Sequence, residues 1–464
     1  MTRALLWFRR DLRLRDHPAL LRAVTRADEV LPVFVPDPVL LRPGGTAGPE
    51  RVGRLLASVA ALREATGDAL VIRAGAPETV IPRLAAEVGA AEVHVTGETT
   101  PYGRARDARV AEALAGDGRA LVRTGTPCAV DPGVLRTRAG TPYRVFTPFL
   151  RAWRARGLPR PAPDPEAVRW LTGVDSEELR LPGGRTAARS PATAEPAGEE
   201  AALRRWRTYL SDGLARYHEL RDRPDLDATS RMSVALAHGE VHPRTLLADL
   251  ATAPAPAAAV ESFTAELCWR EFSADVLWHE PGAARRDLRP GLAGLAYDSP
   301  DDSPAAEAAV TAWRTGRTGY PFVDAGMRQL LAEGFVHNRA RMVTASFLVK
   351  DLHLWWPVGA RHFLRHLRDA DVASNSLGWQ WVAGTGTDAA PYVRVFNPVS
   401  QGLRFDPDGT YVRRWVPELA HLPGAAVHEP WRHPEGLLRG YPSRIVDHEV
   451  ERREALARHE AARG

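Results

Sequence analysis

The 464-residue sequence contains little cysteine, almost no lysine and no long apolar run. Its cysteines, Cys128 and Cys268, are too few for a disulfide framework or a cysteine metal site, which indicates a reducing compartment. We also expect no metal site. No segment reaches the roughly 18 apolar residues of a membrane-spanning helix, and the charged start "MTRALLWFRRDLRLRD" does not have the apolar core of a secretion signal. We therefore expect a cytoplasmic protein without membrane contact.

Nearly all basic residues are arginine. Lys350 is the only lysine among 61 lysines and arginines, which are balanced by 57 acidic residues, so the formal net charge is only +4. This balance is weak support for a nucleic-acid partner, and an excess of Arg, Ala, Pro and Gly also suits GC-rich coding. A DNA-binding function must therefore be argued from particular positions.

The N-terminal part lacks both common nucleotide-binding loops. No G-x-G-x-x-G follows an expected strand, and no G-x-x-x-x-G-K-[ST] occurs. Instead, "RALLWF", "EVLPVFVPD", "DALVIRAG" and "AEVHVTGE" read as strands that alternate with helical patterns over 51–65, 77–89 and 104–115. This alternation predicts a Rossmann-like α/β domain with a parallel sheet, which binds ligands at the carboxyl ends of its strands.

The rest of the chain changes in character twice. A segment rich in Pro, Gly and Ala, including "LPRPAPDPEAVRW", suits a linker, and the region after it has long helical patterns with few β-branched runs. We predict an α/β domain over residues 1–130, an interdomain linker over 131–200 and an all-helical catalytic domain over 201–464.

The stretch "DADVASNSLGWQWVAG" mixes carboxylates with tryptophans. Burying Asp369 or Asp371 costs several kcal/mol unless a cation or hydrogen-bond donor meets it, which favours a flat, polar ligand here. Trp379 and Trp381 are two residues apart, so on a helix they face opposite ways.

A helical spacing groups three further polar or aromatic residues in "ELCWREF". Glu266, Trp269 and Arg270 are at i, i+3 and i+4 and share one helix face. They could form a surface Glu/Arg pair beside a core tryptophan, or together line a ligand cavity.

A second predicted helix repeats this geometry. Asn338, Arg341 and Met342 share a face in "HNRARMVTASF", while Arg339 points elsewhere. Two such helices could offer polar groups to one cavity.

Hydroxyls cluster in "DATSRMS" at a predicted helix start. Thr229, Ser230 and Ser233 could donate to phosphate oxygens together with backbone N–H groups. Helix capping alone would account for one of them.

These motifs, together with "WFRRDLRLRDHPAL", "TGYPFVDAGMRQL" and "VAGTGTDAAPYVRVFNP", are spread over essentially the whole chain in a fixed order. In that order they resemble the photolyase and cryptochrome family, most closely the class I cyclobutane pyrimidine dimer photolyases. The resemblance implies a monomeric carbon–carbon lyase that binds UV-damaged DNA, flips out a pyrimidine dimer and splits it by light-driven electron transfer from reduced FAD in the helical domain.

The resemblance also implies a set of FAD-binding residues. Arg341 would pair with Asp369, so that neither charge is buried alone. Asn375 would face flavin N5, where an amide is a poor proton donor and favours the fully reduced anionic cofactor. The implied FAD-binding residues are Tyr217, Thr229, Ser230, Arg231, Met232, Ser233, Glu266, Arg270, Asn338, Arg341, Asp369, Asp371 and Asn375.

The dimer-binding set overlaps with this one. Trp269 and Trp381 would stack on the flipped dimer, at about 1–3 kcal/mol per base. Glu266 and Asn338 would bond its exposed edges, and Arg270 would hold phosphates without reading sequence. The implied dimer-binding residues are Glu266, Trp269, Arg270, Asn338, Arg339, Met342 and Trp381.

Photoreduction in this family uses a chain of tryptophans. Trp379 and Trp356 match its first two members, but the segment "GLAGLAYDSPDDSP" has no tryptophan for the third. We expect the chain to end on Tyr297 or another aromatic residue. The implied catalytic residues are Trp379, Trp356, Asn375, Glu266 and Tyr297.

The sheet domain is expected to hold an antenna pigment, namely 8-hydroxy-5-deazaflavin, with methenyltetrahydrofolate or an empty pocket as alternatives. The expected wall is Phe34, Arg51, Glu98 and Tyr102, although Thr100 replaces an expected acidic residue.

The main alternative function is a cryptochrome-type blue-light photoreceptor that uses the same FAD site. A (6-4) photolyase is disfavoured because its His-His pair is His337-Asn338 here. A light-independent flavin oxidoreductase is disfavoured because no nicotinamide fingerprint is present.

Overall fold

The computed structural model describes residues 1–42, 45, 47–179, 195–292, 294–387 and 394–462. The chain forms two compact units. The first contains Met1–Ala215, Ser230–Pro281 and Arg368–Ala373, and the second contains Arg216–Thr229, Gly282–Leu367 and Ser374–Gly464. The domain boundaries at residues 130 and 200 stay a prediction.

A five-stranded parallel sheet lies in the first unit, with strand order β3-β2-β1-β4-β5. In β1, Leu5 pairs with Leu31 on one side and with Val93 on the other. The strands are β1 (Arg3–Phe8), β2 (Glu29–Phe34), β3 (Val71–Ile72), β4 (Glu92–Val95) and β5 (Ala120–Arg123). The predicted fold class, a parallel α/β sheet followed by a helical C-terminal region, is confirmed. The edge strand β5 was not predicted.

Both faces of this sheet are buried, as is usual for parallel sheets. Side chains alternate along β1, so Leu5 and Trp7 belong to one apolar cluster while Leu6 and Phe8 belong to the other. This double burial explains the continuous apolar runs in the strand sequences.

Helices make up most of the remaining described structure. Proline occupies the first turn of α3, α4 and α5 below, where its missing N–H leaves no helical bond unmade. The α-helices are α1 (Pro18–Arg26), α2 (Pro38–Leu41), α3 (Pro49–Ala65), α4 (Pro77–Glu87), α5 (Pro101–Gly116), α6 (Phe146–Ala155), α7 (Glu199–Asp212), α8 (Tyr217–Leu220), α9 (Met232–His238), α10 (Pro243–Thr252), α11 (Ala257–His279), α12 (Pro304–Thr315), α13 (Pro321–Glu333), α14 (Asn338–Ser346), α15 (Trp356–His366), α16 (Val372–Ala383), α17 (Pro398–Phe405), α18 (Thr410–Trp415) and α19 (His448–Ala461).

Shorter helical segments join these elements. A π-helical turn, Phe347–Asp351, follows α14 directly. The 3₁₀ segments are Leu214–Arg216, Pro281–Ala284, Pro290–Leu292, Pro417–Leu419, Gly424–His428 and Pro430–Arg432. Within the described residues, no helix has the length and apolar character needed to cross a bilayer, and no cluster of three or more His, Cys, Asp or Glu side chains could bind a metal ion.

Candidate functional site

Helix α11 of the first unit carries Glu266, Trp269 and Arg270, all half-buried. The indole of Trp269 stacks on Phe146, with ring centroids 3.6 Å apart and planes at 8°. Arg270 donates to the carbonyl of Pro127 at 2.8 Å. The helix thus presents the indole of Trp269, covered on one face by Phe146, as an aromatic plate. Glu266 and Arg270 lie on the same helix beside it.

A buried carboxylate fixes the position of α11. Glu271 accepts hydrogen bonds from the backbone N–H groups of Ala129 and Val130 and from the Trp153 indole N–H. Burial raises the pKa of Glu271, although these three donors partly offset that effect. Because Glu271 lies two residues from Trp269, the same bonds hold the aromatic plate in place.

An ion pair of the first unit lies beside α11. Arg10 donates to the Asp371 carboxylate at 2.8 Å. Burial alone would lower the pKa of Arg10, but Glu98 and Asp371 raise it above its usual range, so the guanidinium stays charged. Arg10 and Asp371 line a cleft together with Arg270 and the buried Cys128. Burial raises the pKa of the Cys128 thiol, which keeps it protonated. The sequence prediction included Asp371 but missed Arg10.

The hydroxyl segment makes two kinds of contact within the first unit. The Ser230 Oγ accepts from the Met232 N–H at 3.2 Å, a local contact that spans the N-cap residue Arg231 of α9. The Ser233 hydroxyl instead donates to Asp369 at 2.7 Å. Arg231 has a left-handed backbone with φ of +54°, which is uncommon for a residue other than glycine.

In the second unit, Tyr217 begins α8 and is buried, with the Arg221 guanidinium 5.4 Å from its ring centroid. Thr229 is half-buried in the same unit. Both are residues that the sequence assigns to FAD binding, an assignment that stays a prediction.

Helix α14 carries the second polar set. The exposed Asn338 amide contacts the Met342 sulfur at 4.0 Å. Arg339 forms an ion pair with Asp222 at 2.9 Å. The two residues at i and i+4 thus share a face, while the arginine is directed to a different partner.

Arg341 is held at the base of α14. Its Nε donates to the Val336 carbonyl at 2.7 Å, and the pairing expected with Asp369 stays a prediction. His337 caps the helix through its Nδ1, and burial lowers its pKa to about 4, so it is neutral at pH 7.

Helix α16 places an amide and two indoles in different surroundings. Asn375 is half-buried and donates to the Ala360 carbonyl at 3.1 Å. Trp379 is only 3% exposed, with its ring 5.1 Å from Phe363 and 6.1 Å from Trp313, whereas Trp381 is half-buried. The indole expected to donate electrons is therefore shielded from water, and the one expected to stack on the dimer is not.

Trp356 lies at the start of α15 and is fully buried. Its indole N–H donates to the Asp287 carboxylate at 2.5 Å. Tyr297 is half-buried, and burial together with Asp287 raises its pKa. A carboxylate thus lies close to both the second expected electron donor and the expected terminus.

The four expected antenna residues have different environments in the first unit. Phe34 belongs to the apolar core, and the Tyr102 hydroxyl donates to Asp37 at 2.8 Å. The Glu98 carboxylate accepts from a threonine hydroxyl at 2.8 Å. Burial, followed by Arg10, lowers the pKa of Arg51 to about 10.

Comparison with known proteins agrees with this architecture. Residues 4–166 match the family model described as DNA photolyase, and residues 263–461 match the FAD binding domain of DNA photolyase. The deoxyribodipyrimidine photo-lyase of Streptomyces griseus is 42% identical, with all of both chains aligned.

Solved structures extend the likeness to three dimensions. A class III photolyase from Agrobacterium tumefaciens has a TM-score of 0.89 at 36% identity, covering 100% of this chain and 98% of its own. A cryptochrome from Synechocystis has a TM-score of 0.86 at 28% identity, with 98% of both chains covered. These matches define a flavoprotein of the photolyase and cryptochrome class.

The chain belongs to the DNA photolyase family, and the predicted family is confirmed. The match to the FAD-binding domain supports FAD as its cofactor. The roles of individual residues stay predictions.

Proposed function

We propose that the chain is a deoxyribodipyrimidine photo-lyase, which uses light to split cyclobutane pyrimidine dimers in UV-damaged DNA. The observation that carries the proposal is the aromatic plate on α11, a half-buried Trp269 stacked on Phe146 with Glu266 and Arg270 on the same helix. Base–aromatic stacking is the contact by which such enzymes hold a flipped base. The full-length identity with the Streptomyces griseus photo-lyase supports it.

The donor set fits FAD. Ser230 and Ser233 offer hydroxyls on either side of Arg231, whose backbone is left-handed. Arg10 and Asp371 form an ion pair, so polar groups are available without an uncompensated charge. Bound FAD would supply the light-absorbing electron donor. The residues proposed to hold it are those assigned in the sequence: Tyr217, Thr229, Ser230, Arg231, Met232, Ser233, Glu266, Arg270, Asn338, Arg341, Asp369, Asp371 and Asn375.

Asn375 has a positioning task in this proposal. Its NH₂ group donates to the Ala360 carbonyl, which fixes the orientation of the amide plane. An amide does not release a proton near neutral pH, so Asn375 would not protonate an electron-rich ring beside it. An aspartic acid at this position could do so.

The dimer would be held by stacking and by charge. Phe146 covers one face of Trp269, so a flipped base would stack on the opposite face. Trp381 on α16 would supply the second plate, and Glu266 and Asn338 would bond the base edges. Arg270, Arg339 and Met342 complete the proposed set, in which the arginines meet phosphates.

We also propose an antenna pigment, 8-hydroxy-5-deazaflavin, bound near Arg51, Glu98 and Tyr102, with methenyltetrahydrofolate or an empty pocket as alternatives. A monomer acting in the cytoplasm completes the proposal. Absorption spectra before and after denaturation identify both pigments, and sedimentation gives the oligomeric state.

The decisive experiment supplies dimer-containing DNA to the dithionite-reduced protein under blue light and in darkness. Dimer loss in light alone supports the proposal. Trp269→Ala should weaken binding of dimer-containing DNA by about 1–3 kcal/mol, because a stacking platform is lost. The control Trp415→Ala, which removes a half-buried tryptophan of the second unit, should leave binding unchanged.

A cryptochrome-type blue-light photoreceptor is the second candidate, favoured by the likeness to the Synechocystis cryptochrome. It predicts a light-absorbing flavoprotein that leaves dimers intact in the same experiment.

A further inference from the structure

The aromatic chain of the second unit continues past Trp356 to the surface. The residue before it, Trp355, is the N-cap of α15 and has an extended backbone with ψ of 131°. The two ring centroids are 6.4 Å apart, with planes at 66°. Trp355 is 37% exposed, whereas Trp356 is fully buried. Two adjacent indoles therefore connect the interior of this unit to water.

Tyr297 is poorly suited to end the chain. An oxidised tyrosine must release its phenolic proton, yet the Tyr297 hydroxyl has no hydrogen-bond partner among the residues that the structure describes. Burial and the nearby Asp287 both raise its pKa, so the environment retains the proton. Oxidation of this phenol is opposed by its surroundings.

Trp313 is a second possible electron donor to Trp379, but it does not reach the solvent. Its ring lies 6.1 Å from Trp379, but the side chain is fully buried and its indole N–H donates to the Thr344 carbonyl at 3.0 Å. A radical on Trp313 would have no water to accept its proton and would return its charge to Trp379.

We propose that Trp355 is the surface terminus of the photoreduction chain, a proposal that rests on the proposed function. Trp379 gives one electron to the light-excited oxidised flavin. Trp356 then gives one electron to Trp379, and Trp355 gives one electron to Trp356. The oxidised Trp355 indole then releases its Nε1 proton to water and becomes a neutral radical. An added thiol returns one electron and one proton to it and becomes a thiyl radical, and two such radicals combine to a disulfide.

Asp287 assists the middle step. Its carboxylate accepts the Trp356 indole N–H at 2.5 Å, so a positive charge on that indole is stabilised by a neighbouring negative one. No such carboxylate bond holds Trp355 within the described contacts, and its exposed ring can pass a proton to solvent. The geometry thus stabilises a transient positive charge on Trp356 and a long-lived neutral radical on Trp355.

The test is flash photolysis of the full chain with FAD bound in its oxidised form. Trp355→Phe should abolish the long-lived neutral tryptophan radical and slow thiol-dependent photoreduction severalfold. Trp415→Phe, the same change at a half-buried tryptophan of the same unit, should behave as the wild type. Retention of the radical in Trp355→Phe, or its loss in Tyr297→Phe instead, would overturn the proposal.

Two further readouts separate this proposal from the proposed function. Acrylamide quenching of tryptophan fluorescence should lose an accessible component in Trp355→Phe, and an unchanged accessible fraction would contradict the surface assignment. Dimer repair after dithionite reduction bypasses the tryptophan chain. If the wild type shows no repair in that assay, the proposed function fails, whereas the radical measurement still decides the terminus.

Discussion

The buried side chains of strand β1 and of helix α16 are held in place by different means. In β1, Leu5, Leu6 and Trp7 pack against apolar neighbours on either face of the sheet. In α16, Gln380 is fully buried, and its amide donates to the Ala283 carbonyl at 2.8 Å and accepts from the Leu288 N–H at 3.0 Å. A buried apolar side chain can pack against many different neighbours, whereas a buried polar side chain requires a hydrogen-bond partner at a particular position. The hydrogen bonds of Gln380 therefore fix the position of α16 more specifically than apolar packing fixes β1.

The largest effect is expected in the sheet. Leu6→Ala should lower the free energy of unfolding by about 2–5 kcal/mol, because it removes a fully buried side chain and leaves a cavity. Leu438→Ala, at a side chain that is 77% exposed, is the matched control and should change it little. Chemical denaturation measures both, and equal effects would show that the sheet core is not tightly packed.

In the helix, Gln380→Leu keeps the volume but removes the hydrogen bonds. The buried Ala283 carbonyl would then lose this donor, at about 1–3 kcal/mol for a buried group left unpaired, while the Leu288 N–H keeps its bond to the Thr385 carbonyl at 3.1 Å. Denaturation should show this loss despite the added apolar surface. A neutral or stabilising result would mean that α16 is held by packing alone, as β1 is.

Glycine substitutions sharpen the comparison further. A Cβ at Gly359 on α15 would overlap the ring of Trp379, so Gly359→Ala should cost about 1–3 kcal/mol through overpacking. On α16, a Cβ at Gly378 meets nothing within 4 Å, so Gly378→Ala should gain up to about 1 kcal/mol from helix propensity. If Gly359→Ala is as well tolerated as Gly378→Ala, the ring of Trp379 is not fixed.

A pH dependence is expected from the buried Lys350. Its amine donates to the Ala383 carbonyl at the end of α16 at 2.8 Å, and burial lowers its pKa to about 7. Above pH 7 the unfolded chain binds more protons at this lysine than the folded chain does. Stability should therefore rise from pH 7 toward 10, by at most about 1.4 kcal/mol per pH unit.

Lys350→Met isolates this contribution, because it keeps an unbranched side chain one atom shorter and removes the titrating amine. Denaturation at several pH values should give the variant a flatter profile than the wild type between pH 7 and 10. Parallel profiles would show that the folded protein keeps Lys350 charged.

The sheet could be read from sequence because its strands are short apolar runs between helical patterns. The exception is β5, a half-exposed edge strand, "ALVR", whose burial gives no clear period. Helical spacing likewise placed Glu266, Trp269 and Arg270 together, since one helix carries all three.

Contacts between distant positions could not be read. Arg10 and Asp371 are 361 residues apart, and a sequence pattern does not report which of many arginines meets a given carboxylate. The backing of Trp269 by Phe146 depends in the same way on the packing of α6 against α11. Trp355 could be seen as a neighbour of Trp356, but its exposure could not.

The wavelength dependence of dimer repair tests the central claim most directly. Purified protein with FAD bound and reduced is illuminated with dimer-containing DNA, and dimers lost per absorbed photon are measured across the near-ultraviolet and blue. The predicted result is repair that follows the absorption of the bound pigments and is absent in darkness. A protein that holds FAD and absorbs this light, yet leaves the dimers intact, would contradict the account.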